Sequence, residues 1–600
     1  MNSKNTRIWF VIAAALFAFI YFFERELHPG VVPPAPVLPD LQPSAVTSVG
    51  IIPIDAPRIR ADKTNGTWYV TRPILYPAQF TAVETLLDAL QQLKPVQQIS
   101  AAELRANRGA NAEYGFDRPQ TSLAIEAGDQ SWQINLGNRT APGDQIYLQV
   151  VGKAAAYVVD AGWLKYIPKS ANEWRDTDLI KINPGSTDWI VLTNNSKGVV
   201  IELRRDATNH LWRITRPLPA RADGTRITEA LQNLEAARIS QFVSDDSKAD
   251  LTSYGLEPAS IDLWAGGALN LVAGLHFGKS LVSDPSQLYV RRDGWISIVA
   301  TPQDRLSPWW GGVNSFRDPY LLELTAPVAE IDLTGPANFI LQRGDATNSD
   351  WHIVGEKFPV DAENVQQLIE LLAGLRVAEF VKDVVTTNDL PFYGLSSPVR
   401  QVTIRSSVND SNSMAQLRFG ATQNGEVYVR LSDEEFVYAV ATNDFTRLPD
   451  SSWEFRARHI WDFSENDISK VTVSQLGKVR QMIRSGTNGW ALAPGSQGII
   501  NNPPAIEETM HRLGQLTVAG WVGRNMGTNS GRYGFRAENL SITIDLKNGT
   551  QKKVDFGDEL PGYQTALAAV MLDGERWPFI FPPVLYQFVT TYLAIPASAP

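Results

Sequence analysis

The chain's most versatile side chains for chemistry are six histidines: His28, His210, His276, His352, His459 and His511. An imidazole can act as a general base or ligate zinc. A helical metal pair needs His-x-x-x-His spacing, and no two of the six have it. Members of a Ser/His/Asp triad lie far apart in sequence, so spacing alone leaves a triad open, yet no G-x-S-x-G elbow nominates a nucleophile. Gly278-Lys279-Ser280 resembles the end of a phosphate-binding loop, but that motif needs a glycine where Ala273 stands. The acidic pairs Asp245-Asp246 and Glu434-Glu435 fall in polar stretches and read as solvated loops. Trp309-Trp310 is the candidate platform for stacking on a sugar, although recurring tryptophans are explained more simply by packing. There is no cysteine, which removes disulfides, thiolate nucleophiles and Cys-ligated metal centres. No residue is therefore assigned a catalytic, cofactor-binding or metal-binding role, and the chain reads as non-enzymatic.

The elements that would position any site come next. At 600 residues the chain exceeds a single core and predicts several domains. A formal net charge of −10, with no long basic run, argues against nucleic acid as a partner. The run from Ile8 to Phe23 holds sixteen residues without a charge, behind Lys4 and Arg7. It predicts an uncleaved, single-pass anchor in the inner membrane, with a cytoplasmic N-terminus and the bulk of the chain periplasmic or otherwise extracytoplasmic. Prolines 29, 33, 34, 36, 39 and 43 then predict a semi-rigid spacer.

Beyond the spacer the sequence repeats. Tyr-Gly-Phe/Leu recurs at Tyr114, Tyr254, Tyr393 and Tyr533, a period of 139 to 140 residues. Trp68, Trp212, Trp351 and Trp490 keep step, as do Leu136-Gly137, Phe277-Gly278, Phe419-Gly420 and Phe556-Gly557. Between Trp and Tyr each copy carries a helical stripe, clearest in Val365, Leu368, Ile369, Leu372 and Leu375 behind the N-cap candidate Asp361. Alternating strand patterns surround it. The predicted fold class is α+β: four tandem repeats of about 140 residues, each a largely antiparallel sheet with one main amphipathic helix. The divisions are an anchor (1–28), a linker (29–44), repeats at 45–172, 173–315, 316–454 and 455–592, and a tail (593–600).

The Tyr-Gly-Phe/Leu turn with Pro119, Pro258 or Pro398 soon after, the helix before it and the apolar-Gly strand end after it resemble the domain-of-unknown-function family numbered 4340, over residues 45–590. The fourth copy departs, with Glu538 where the proline would fall. Members of that family are similar membrane-anchored proteins often encoded beside gliding-type ABC transporter permeases. The resemblance implies an extracytoplasmic scaffold or accessory subunit of such a complex, with protein partners and no catalytic residues to carry over. No small-molecule substrate is inferred. A cell-wall or polysaccharide-binding protein and a cryptic hydrolase are the alternatives.

Overall fold

The computed structural model describes residues 3–27, 34–267, 270–344, 350–408, 410–486, 489–496, 499–500, 502–524, 531, 533–562 and 564–595. His28, Pro29, Pro33 and the tail from Pro596 lie outside them. Two compact units, Met1–Arg317 and Asp318–Pro600, divide the chain, and each holds two modules.

The first module contains strands β1 (Ser48–Pro53), β2 (Ile59–Thr64), β3 (Thr67–Arg72), β4 (Tyr76–Pro77), β5 (Pro95–Ile99), β6 (Thr121–Ala127), β7 (Gln130–Arg139), β8 (Gln145–Val150) and β9 (Ala156–Asp160). They form one antiparallel sheet in the order β4-β3-β2-β1-β6-β7-β8-β9-β5. The second module repeats this order with nine strands, and the third and fourth repeat it with eight, showing no counterpart of β4 among the described residues. The α+β expectation is corrected accordingly: the protein is mostly β, four antiparallel sheets with few helices. The helical stripes are conspicuous in the sequence because each is continuous. The short strands around them are scattered, and in sum they outweigh the single main helix of each module.

That helix spans Phe80–Gln91, Gly224–Glu235, Ala362–Ala373 and Pro503–Gly514 in turn. In the last three it is capped by Asp223, Asp361 or Asn502, whose side chain accepts a backbone N–H of the first turn. Its apolar face is buried against the sheet; in the first module Val83, Leu86, Leu87 and Leu90 share one core with Ile51, Val70, Leu123, Ile134, Leu148 and Trp174. In the first and fourth modules the strand tryptophan is pinned to the helix. Trp68 and Trp490 each donate through Nε1 to Glu84 and Glu507 at 2.8 Å, and Lys63 and Arg484 pair with those same carboxylates.

The N-terminal helix runs Ser3–Leu27, with Trp9, Phe10 and Phe17 exposed. No helix among the described residues is long and apolar enough to cross a membrane, which corrects the expected transmembrane helix. Its uncharged run, Ile8 to Phe23, rises only about 24 Å against about 30 Å of hydrocarbon. In the Pro-rich stretch, Val37, Leu38 and Leu41 are buried in the first core, and the Val37 N–H donates to the Leu93 carbonyl at 2.9 Å.

Two of the three sequence markers turn out to be one contact. Gly115, Gly255, Gly394 and Gly534 all adopt the left-handed conformation, with φ between 66° and 75°. The carbonyl oxygen just before each glycine, on Tyr114, Tyr254, Tyr393 or Tyr533, fits where a Cβ would stand on Gly137, Gly278, Gly420 or Gly557. Only glycine leaves room for it. A register shift follows at once in every module, between Leu136 and Arg139, Phe277 and Ser280, Phe419 and Thr422, and Phe556 and Glu559. The tyrosine ring packs on a neighbour one strand over: Tyr114 on Tyr147, Tyr254 on Tyr289 and Tyr393 on Tyr428, at 4.5, 5.0 and 5.1 Å between centroids.

Candidate functional site: the arginine joints between modules

Large buried cations are costly unless paired, so their positions mark where the sequence has committed polar chemistry. Two of them sit at the joints inside the units. Arg175, from the segment EWRD, is 1% exposed and lies between modules one and two. Its Nη1 and Nη2 donate to the two Asp245 carboxylate oxygens at 2.8 and 2.9 Å, and Nη2 also donates to Ser297 Oγ at 2.8 Å. The guanidinium lies against two rings that meet edge-on, 4.0 Å from the Tyr76 ring centre and 3.7 Å from that of Phe242. Arg292 stacks on Tyr76 and Trp295 beside it. Burial pushes the Tyr76 hydroxyl pKa up, with Arg292 and Arg175 opposing.

The backbone explains why the arginine is there. The junction pairs first with module one, where Gln79 N–H donates to Trp174 O and Asp176 N–H to Pro77 O. It then pairs with module two, where Leu179 N–H donates to Ala237 O and Ile239 N–H to Thr177 O. Arg175 thus stands where the chain changes partners.

The second unit repeats the device with different acids. Arg456 is 5% exposed and its guanidinium faces Trp577 at 4.2 Å, Phe358 at 5.3 Å and Trp521 at 5.6 Å. Its Nη2 donates to Asp573 at 2.9 Å, while Trp521 Nε1 donates to the Arg456 carbonyl. Burial pushes the Arg456 pKa down, and the hydrogen bond to Asp573 opposes it. Beside it Arg524 bridges Glu356 of the third module and Glu575 of the fourth at 2.6 and 2.8 Å. The hydrogen bond from Arg524 holds the Glu575 carboxyl below its usual range. Arg458 reaches back to the helix cap Asp361 at 3.0 Å.

The residues singled out for chemistry in the sequence do not converge. His276 Nδ1 is 2.5 Å from Asp262 Oδ1 and its Nε2 is 3.9 Å from Asp293, so both ring nitrogens face carboxylates. His459 pairs with Thr517 and His511 with Glu465, while His210 and His352 are exposed. Among the described residues no group of three His, Asp or Glu side chains could hold a metal ion. Gly278-Lys279-Ser280 is part of the strand Asn270–Ser280. Trp309 is fully buried, and Trp310 packs on Phe277 at 5.3 Å. Asp245, read as a solvated loop residue, is instead the counter-ion of a buried arginine. The repeated Arg after Trp or Phe in the junctions EWRD, SFRD and EFRA was the available signal for these joints.

The family described as Domain of unknown function (DUF4340) matches at residues 68–210, 212–337 and 351–537, well over half of the chain. Each matched segment starts at a module's strand tryptophan, Trp68, Trp212 and Trp351 in turn. No curated protein matches the chain.

Proposed function

The chain belongs to this family, and on that premise we propose that it is a non-enzymatic scaffold or accessory subunit, working on the extracytoplasmic side of an ABC-type transport complex in the cell envelope. The observation that supports this reading best is the pair of joints. Buried arginines, which are costly to desolvate, fix one module against the next within each unit. A protein that presents several similar modules in fixed pairs gains contact area and effective concentration for its partners. Of the pair on which a polysaccharide-binding reading leaned, Trp309 is buried, whereas Trp310 packs on Phe277 and remains 36% exposed.

Cross-linking in intact cells followed by affinity purification of the full chain tests the proposal. Recovery of transporter subunits is the expected result, reduced when Arg175 or Arg456 is replaced. Reproducible recovery of a soluble partner without any transporter subunit would count decisively against it.

A further inference from the structure

In three modules the residue before the glycine that admits the tyrosine carbonyl (Gly278, Gly420 or Gly557) is phenylalanine, and a second aromatic ring covers it. Phe277 meets Trp310 at 5.3 Å, Phe419 meets Phe445 at 5.2 Å, and Phe556 meets Phe581 at 4.8 Å and Tyr586 at 5.9 Å. The first module breaks this pattern. Leu136 stands in the phenylalanine position and pairs across the strands with Thr121, where the next two modules pair Phe277 with Ile261 and Phe419 with Arg400. The segment after its last strand brings Leu164 and Ile167 to the place of the covering ring.

The missing rings leave a cavity of about 660 Å³, walled by Ile51, Leu136, Ile146, Leu164 and Ile167. That volume lies within the usual range for small-molecule sites, about 300–1,000 Å³. Its charged lining residues are Arg139 and Lys169, both exposed, and no carboxylate lines it. Arg139 is held in place by donating to the Gly143 carbonyl at 2.7 Å. A slot with one apolar wall, also lined by Gln120, Thr121 and Asn138 and rimmed by two cations, is complementary to a flat apolar body with an anionic, hydrogen-bonding end.

We propose that the first module binds a small aromatic carboxylate. The ring takes the place of the aromatic plug, and the carboxylate sits at Arg139 and Lys169. The inference is independent of the scaffold reading, because it concerns one module and no protein partner.

The test is calorimetric titration of the full chain with 2-naphthoate, with neutral 2-naphthamide as the control. One saturable site is expected, with naphthoate the tighter ligand. Leu136→Phe, which restores the plug of the other modules, should abolish binding of both probes. Leu164→Phe fills the slot from the opposite wall and serves if the first variant does not fold. Arg139→Gln combined with Lys169→Gln should weaken naphthoate about tenfold and leave naphthamide unchanged. Absence of saturable binding at millimolar naphthoate, binding indifferent to folded Leu136→Phe and Leu164→Phe, or equal weakening of both probes by the charge variants would each overturn the proposal.

Discussion

Gly394 has little latitude. Its φ is 67°, and a Cβ there would stand 2.7 Å from the Ala421 backbone nitrogen. Valine, branched at Cβ, is an outlier in that conformation. Backbone strain and overpacking together should cost Gly394→Val about 2–5 kcal/mol. Hydrogen exchange should show protection lost across residues 330–441 and retained across 189–302. The segment leading into the same turn is held by Asp389, which accepts from Lys382 Nζ at 2.6 Å and from the Thr386 N–H and hydroxyl at 2.8 Å. The Lys382 hydrogen bond, followed by those from Thr386, holds the Asp389 carboxyl down at about 2. A depressed carboxylate pKa stabilises the fold above its unfolded value, and that contribution is lost as pH falls through the folded one. Between about pH 4 and pH 2, therefore, melting of the wild-type chain should fall more steeply than that of Asp389→Asn. Equal slopes in that window would show that the carboxylate does not hold the turn.

At the scale of elements, the joints are where substitution should separate modules without dissolving cores. Arg175→Met leaves Asp245 and Ser297 without their shared donor, at a cost of about 2 kcal/mol. Thermolysin should then cut faster between Trp174 and Ile182. Arg175→Lys should behave much the same, because an ammonium cannot reproduce the two-pronged bond or the guanidinium's contacts with Tyr76 and Phe242. How legible was this in the sequence? The modules were plain, because Trp, Tyr-Gly and apolar-Gly keep a fixed period and the helix stripe is local. The joint was not, because Arg175 and Asp245 lie 70 residues apart and Arg456 and Asp573 lie 117 apart. Its acid also changes position between the copies, so no period betrays it. The slot in the first module was hidden for another reason: treating Leu136 and the three phenylalanines as one apolar marker erased the difference in size that creates it.

For the whole molecule, the division at Arg317 gives a direct expectation. A fragment of residues 34–317 should melt cooperatively in a calorimeter. One ending at residue 172 lacks Trp174, which is 1% exposed in the first core, and loses the Arg175 contact with the Tyr76 ring. Removal of a buried tryptophan costs about 3–5 kcal/mol, so its transition should fall by roughly 10 °C or more. An unchanged transition would mean that the junction belongs only to the second module.

The same junction has a consequence in time. Trp174 lies in the first core and Leu179, just downstream, in the second. During translation, the stretch that seals one module is also the first piece of the next to emerge. A growing chain therefore carries forward a docked starting edge rather than a loose end. Newly made strands meet that edge before they meet a stranger's, and the order of synthesis becomes the order of assembly.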